Sequence, residues 1–187
     1  NPLTGWVLYA SMGVDAADFW AQYDHMYIPE LGHNVSVTDY AHTLYIRASW
    51  TDFNPQEDVY GWKIDSNLRA YIEGAYQRNM RLAFRVVVDS RDKRTEFTPQ
   101  FVKDAGAKGF MNKGKWSPYS DDPVFQKYYT KFVKALAKDF NDPSKVEFID
   151  GFGLGKWGEY HTMIYSTGDD TPKKAVFNWV TDIYSQA

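Results

Sequence analysis

Glu159 is the one carboxylate in "GFGLGKWGEYHT", residues 151 to 162, which also holds four glycines and Trp157. The stretch follows the apolar-rich run "VEFID". A carboxyl group that leaves an apolar strand beside Gly158 and Trp157 is expected in partly dry surroundings, of the kind that let it act as general acid near neutral pH. Glycine allows close backbone approach and positive φ at a cost in order. The run therefore reads either as an ordinary strand-to-helix turn or as space cleared for a ligand beside Glu159.

Further candidates stand where other apolar runs end, Arg47, Ser49 and Trp50, then Arg85 and Asp89, and His161 stands in the same stretch as Glu159. Each also has a plain reading. Arg47 and Arg85 can be structural arginines paired with carboxylates, since buried charge needs a partner. Trp50 can be core, His161 an ordinary loop histidine, Asp150 a cap or ion-pair partner, and Glu159 a solvated loop residue. Other chemistries find little support. There is no cysteine, which removes disulfides, thiolate ligands and cysteine nucleophiles. The histidines at 25, 33, 42 and 161 lack zinc-ligand spacing, and "STGDD" (166–170) is a weak calcium motif. No phosphate-binding glycine motif with lysine and serine is present, so no cofactor or metal is expected.

The net charge of -3, with basic residues scattered, argues against a nucleic-acid surface, and no run approaches the ~20 apolar residues of a membrane span. Aromatic residues make up 18% of the chain, most of them expected in the core, while those near glycine-rich turns suit a ligand with flat apolar faces. The first residue is Asn rather than Met, so an N-terminal segment is expected to have been removed. At 187 residues, one domain is the natural expectation.

Four strand-helix units position the candidates. "GWVLYA" (5–10), "HTLYIRASW" (42–50), "RLAFRVVVD" (81–89) and "KVEFIDGFG" (145–153) read as strands. "DAADFWAQY" reads as a first helix, and Asp65 caps a second with Leu68, Tyr71, Ile72 and Ala75 on one face. "DDP" at 121–123 opens a third, whose stripe is Phe125, Tyr128, Tyr129, Phe132, Val133, Leu136 and Phe140. "TP" at 171–172 caps a last helix carrying Val176, Trp179, Val180 and Ile183. Alternating strands and helices imply a mostly parallel α/β sheet. Leu44, Ile46 and Ala48 form one face of the second strand; Tyr45, Arg47 and Ser49 form the other. In the third, Leu82, Phe84 and Val86 oppose Ala83, Arg85 and Val87. A polar second face suits the mouth of a barrel rather than a doubly wound sheet, which is apolar on both sides. The expected fold is α/β: four βα units, the N-terminal half of a TIM (β/α)₈ barrel, with 1–187 a single partial domain. The stretch from 89 to 122, with "GFMNKGKWSPYSDDP", reads as a long functional loop holding Trp116 and Tyr119.

"RASWTDFNPQEDVYGWKID" resembles the second-strand signature of retaining glycoside hydrolases with (β/α)₈ barrels, clan A. "NPLTGW", "TPQFVKDAGA", "DDPVFQKYYTKFVKALAKDF" and "VEFIDGFGLGKWGEYH" look like a β-galactosidase-like branch of that clan from polysaccharide-degrading bacteria. The resemblance runs over essentially the whole chain. It implies a carbohydrate substrate, with Glu159 as the acid/base glutamate after strand four and Arg47 as the strand-two arginine that supports the active-site carboxylates. The clan's nucleophile lies on strand seven, beyond these four units, so the remaining half-barrel is expected from the same gene or a second chain. Where the clan carries an asparagine before the acid/base glutamate, this chain has Gly158. With a sugar as ligand, Trp50, Trp116, Tyr119, Trp157 and Tyr160 become candidate stacking surfaces, and Arg47, Arg85 and His161 candidate partners for hydroxyls. The resemblance also implies a secreted, periplasmic or cell-surface protein. The rival expectation is a non-catalytic carbohydrate-binding or scaffold barrel.

Overall fold

The computed structural model describes residues 5–91 and 95–187; the first four residues of "NPLTGW" and residues 92–94 lie outside them. Its strands are β1 (Trp6–Tyr9), β2 (Met26–Ile28), β3 (His33–Val35), β4 (Ala41–Ser49), β5 (Arg81–Val87), β6 (Gly109–Asn112), β7 (Lys115–Pro118) and β8 (Val146–Ile149). The helices are α1 (Ala16–Asp24), α2 (Trp50–Phe53), α3 (Gly61–Ile64), α4 (Ser66–Gln77), α5 (Gln100–Asp104), α6 (Pro123–Phe140) and α7 (Lys173–Ser185). The chain forms two compact units, residues 1–47, 62–84 and 142–149, and residues 48–61, 85–141 and 150–187.

The first unit holds a four-stranded sheet in the order β1-β4-β5-β8. β1 runs parallel to β4, with Leu8 opposite Leu44 and Tyr9 opposite Tyr45. β5 runs parallel to β8, with Ala83 opposite Phe148 and Phe84 opposite Ile149. The order follows the chain without reversal, as in a barrel; a doubly wound sheet reverses at its switch point. The alternation read in β4 holds over its middle, since Leu44 and Ile46 are wholly buried while Tyr45 and Arg47 are half-buried, but Ser49, read on the same face as those two, is buried. β5 departs from it: Ala83 and Val87 are buried as well, leaving Arg85 as the half-buried residue of that face. Outside the sheet, α1 and α4 pack through Phe19, Trp20 and Tyr71, with Phe19 ring centroids 5.1 and 4.9 Å from the other two. Gly74 is required there, because a Cβ would lie 2.1 Å from Trp20 Nε1. Asp15 and Asp65 cap the two helices, Asp65 accepting from Leu68 N at 2.7 Å.

The second unit is built on α6. Asp122 accepts from Phe125 N at 2.9 Å and Pro123 occupies the first turn. Phe125, Tyr129, Phe132, Val133, Leu136 and Phe140 are buried as the spacing predicts, while Tyr128 of the same stripe is half-buried. Trp50 enters this core, with ring centroids 5.1 to 6.3 Å from Tyr129, Phe132, Phe125 and Phe101. Each such buried large side chain contributes about 1.5–3 kcal/mol. The expected long loop contains α5 and an antiparallel β6–β7 hairpin, turned by Lys113 and Gly114 at φ 48° and 76°. These two left-handed residues match the twist a two-residue hairpin needs.

Candidate active site

Between β8 and α7 the chain runs as turns. The strand expected over 145–153 is shorter, Val146–Ile149, and left-handed residues recur beyond it from Gly153. Gly153, Gly155, Trp157, Gly158, Tyr160 and Thr162 have φ between 48° and 75°. Lys156 N donates to His161 O at 3.1 Å and Tyr160 N to Leu154 O at 2.9 Å, closing a tight turn with Glu159 near its tip. The glycines serve this turn. A Cβ on Gly153 would lie 2.3 Å from Val86 O and 2.6 Å from Tyr129 Oη; one on Gly155 would lie 2.8 Å from His161 O. The protein's own atoms fill the space that the glycines leave at these two positions, which corrects the reading that they clear room for a ligand.

Arg85 organises the carboxylates. Its Nε donates to Asp150 Oδ2 at 2.7 Å and its Nη1 to Glu159 Oε1 at 3.2 Å. Glu159 Oε2 lies 4.0 Å from His161 Nε2. The Glu159 side chain is 45% exposed, so the partly dry surroundings expected from the sequence are not found; the turn lifts its tip into solvent. Trp157 is exposed too, with Lys156 Nζ 4.5 Å from its ring centroid and the His161 ring edge-on at 5.4 Å. Arg85, Asp150, Trp157, Glu159 and His161 therefore form one cluster within the second unit. Tyr160 points elsewhere. Its ring packs 5.4 Å from both Phe152 and Phe177, and its hydroxyl donates to Lys173 O at 3.0 Å. Burial pushes this phenol up from its usual range.

Two of the proposed stacking rings are corrected outright. Trp50 is wholly buried in the α6 core, and Trp116 is buried over Gly109 in the hairpin. Neither offers a face to a sugar. Tyr119 is half-buried with its ring 5.8 Å from Phe110. Arg47 is a half-buried residue of β4 in the first unit. Ser49 is a helix cap: its Oγ accepts from Asp52 N at 3.0 Å and its own N donates to Asp52 Oδ2 at 3.0 Å. No group of acidic or histidine side chains that could hold a metal occurs among the described residues, and Asp169 of "STGDD" instead accepts from Thr171 N at 2.9 Å. Among the same residues no helix is long and apolar enough to cross a membrane.

Sequence reasoning missed Arg91. It sits in a buried ion pair with Asp89, Nη2 to Oδ2 at 2.6 Å, and donates to Thr162 O at 2.6 Å. The available signal was "DSR" directly after the apolar run 82–88, an aspartate and an arginine two residues apart at a strand end.

Neither a protein-family profile nor a curated protein matches the chain. Solved structures do. Xylanase B from Clostridium stercorarium F9 superposes with a TM-score of 0.52 at 13% identity, over 98% of this chain and 48% of that one. Xylanase 10B from Thermotoga petrophila RKU-1, in complex with xylobiose, gives 0.51 at 11% identity, over 98% and 47%. The chain thus spans about half the length of the solved xylanases it matches. At these identities the likeness is one of fold: a mixed α/β chain with a parallel four-stranded sheet, similar to part of the barrel of these glycoside hydrolases.

Proposed function

We propose that residues 1–187 are the N-terminal half of a single glycoside hydrolase barrel domain, of the clan A type and its β-galactosidase-like branch, and that Glu159 is the general acid/base. The observation that carries this reading is the exposed Glu159 carboxylate, at the tip of a turn after the fourth strand of a sequentially ordered parallel sheet, held by Arg85 beside the exposed ring of Trp157. Active sites of such barrels lie at the carboxyl ends of strands. A retaining glycosidase needs two carboxyl groups ~5–5.5 Å apart, one protonating the leaving oxygen and one attacking the anomeric carbon. In this reading the nucleophile comes from the other half-barrel, Arg47 supports the carboxylates, and Trp157 offers its face to a pyranose of an oligo- or polysaccharide met outside the cytoplasm.

In the full-length protein, Glu159→Ala should slow alkyl glycosides and natural oligosaccharides by roughly 10²–10⁴-fold. The first step on aryl glycosides with good leaving groups should be spared, and azide should restore turnover by attacking the glycosyl-enzyme without a base. Unaltered kinetics on the natural substrate would rule the assignment out. One observation favours a non-catalytic sugar-binding barrel: Gly158 is buried, at φ 75° and against Gly153, where the clan has a polar side chain before the glutamate. That alternative predicts sugar binding without turnover in both proteins.

A further inference from the structure

We infer that Arg91 is a positioning residue for the Glu159 turn, an inference that deepens the acid/base assignment and rests on it. The turn contains three non-glycine residues in left-handed conformation, Trp157, Tyr160 and Thr162, at φ 62°, 56° and 48°. Such residues are strained and persist only where surrounding contacts hold them. The segment after β5 supplies contacts at both ends of the turn. At its entry Val88 N donates to Gly153 O at 3.1 Å. At its exit Arg91 Nη2 donates to Thr162 O at 2.6 Å, one residue beyond the Lys156–His161 pair that closes the turn.

Arg91 is itself fixed. Its side chain is 10% exposed and that of Asp89 is 8% exposed. Asp89 accepts from Arg91 N at 2.9 Å and Nε at 2.8 Å, and from Ser117 Oγ of β7 at 3.3 Å. The guanidinium carbon lies 5.5 Å from the Phe110 ring centroid on β6. Charge-assisted, forked hydrogen bonds of this kind set orientation as well as energy. The hairpin therefore holds Asp89, Asp89 holds Arg91, and Arg91 holds the carbonyl three residues after Glu159. Nothing in this chain of contacts touches the Glu159 carboxylate, so Arg91 acts on where that group stands and not on the reacting atoms.

The test uses the full-length protein with Arg91→Met, Arg91→Lys, Glu159→Ala and the Arg91→Met/Glu159→Ala double variant. Amide hydrogen exchange reads the turn without reference to activity. In Arg91→Met the Lys156 and Tyr160 amides should exchange about 10-fold faster, those of α6 at the wild-type rate, and Arg91→Lys should fall between. Kinetics use a 4-nitrophenyl glycoside hydrolysed by the wild type and the alkyl glycoside of the same sugar. Arg91→Met should lower kcat on the alkyl glycoside by roughly 10–100-fold with KM within about 3-fold, and hardly change the rate of the first step, nitrophenol release in the burst, on the aryl glycoside. On the Glu159→Ala background the same substitution should add less than about 2-fold, because the group it positions is gone. Unchanged exchange at Lys156 and Tyr160, or equal losses on both backgrounds, overturns the inference. If Glu159→Ala is fully active the acid/base assignment fails instead, and the exchange rates alone decide whether Arg91 holds the turn.

Discussion

Arg78 in the first unit and Arg85 in the second are both half-buried arginines joined to carboxylates, yet they distribute their donors differently. Arg78 gives Nε to Asp24 Oδ1 at 2.7 Å and Nη2 to the other oxygen of the same carboxylate. Its Nη1 donates to Gly74 O at 2.9 Å, at the end of α4, and its plane lies 4.2 Å over Trp20. The result is a lock between α1 and α4 that also satisfies a helix-end carbonyl. Arg85 divides its donors between two acids, Asp150 and Glu159, whose side chains are 31% and 45% exposed. Residue type and burial are nearly the same at the two arginines. Connection separates them: one fork on one acid fixes a helix pair, while one cation on two acids steadies a carboxylate that faces solvent.

The contrast breaks most visibly at Arg85. In the full-length protein Arg85→Met should lower kcat on alkyl glycosides by roughly 10–100-fold, through loss of Glu159 orientation, and leave Tm close to the wild type. Unchanged turnover would erase the distinction between the two arginines. Arg78→Met should do the reverse, costing about 1–3 kcal/mol in urea unfolding while kinetics stay at the wild-type level. This pair also has a pH signature. The Arg78 hydrogen bond, outweighing burial, holds the Asp24 carboxyl below its ordinary value of 3.8. A carboxyl depressed in the folded state contributes stability that is full above its unfolded pKa and is lost as pH falls through the folded one. Wild-type stability should therefore drop below about pH 4 more steeply than that of Arg78→Met; parallel profiles would remove Asp24 from the lock.

The smallest effect belongs to a third cation, Lys131, which sharpens the comparison because it too contacts two acids. Its Nζ lies 2.7 Å from Asp58 and 2.8 Å from Glu57, and hydrogen bonds to Asp58 and then Glu57 push its pKa up. With 43% of its side chain exposed, solvent and side-chain entropy discount the gain. Lys131→Met should change unfolding free energy by less than about 1 kcal/mol, and 1 M salt should abolish the difference. A larger effect that persists in salt would mean that contact with two acids is enough to make a lock even at the surface.

Features set by neighbours in the chain were legible in the sequence. Asp65 and Asp122 cap α4 and α6 through bonds to residues three further on, and the α6 stripe follows from helical period alone. The inward face of β4 and the placement of Glu159 after the last strand of the sheet were legible for the same reason: period and order are written along the chain. The tertiary structure alone decided the rest. Trp50 reads more readily as core than as platform, but only the packing of α6 on it decides, and the hairpin at 109–118 declares itself only when Gly109 pairs with Pro118. Arg85 reaches Glu159 across 74 residues and Arg91 reaches Thr162 across 71. A hydrogen bond extends only ~3 Å, so partners that distant in sequence are chosen by the packing that brings their segments together, and no local spacing records the choice.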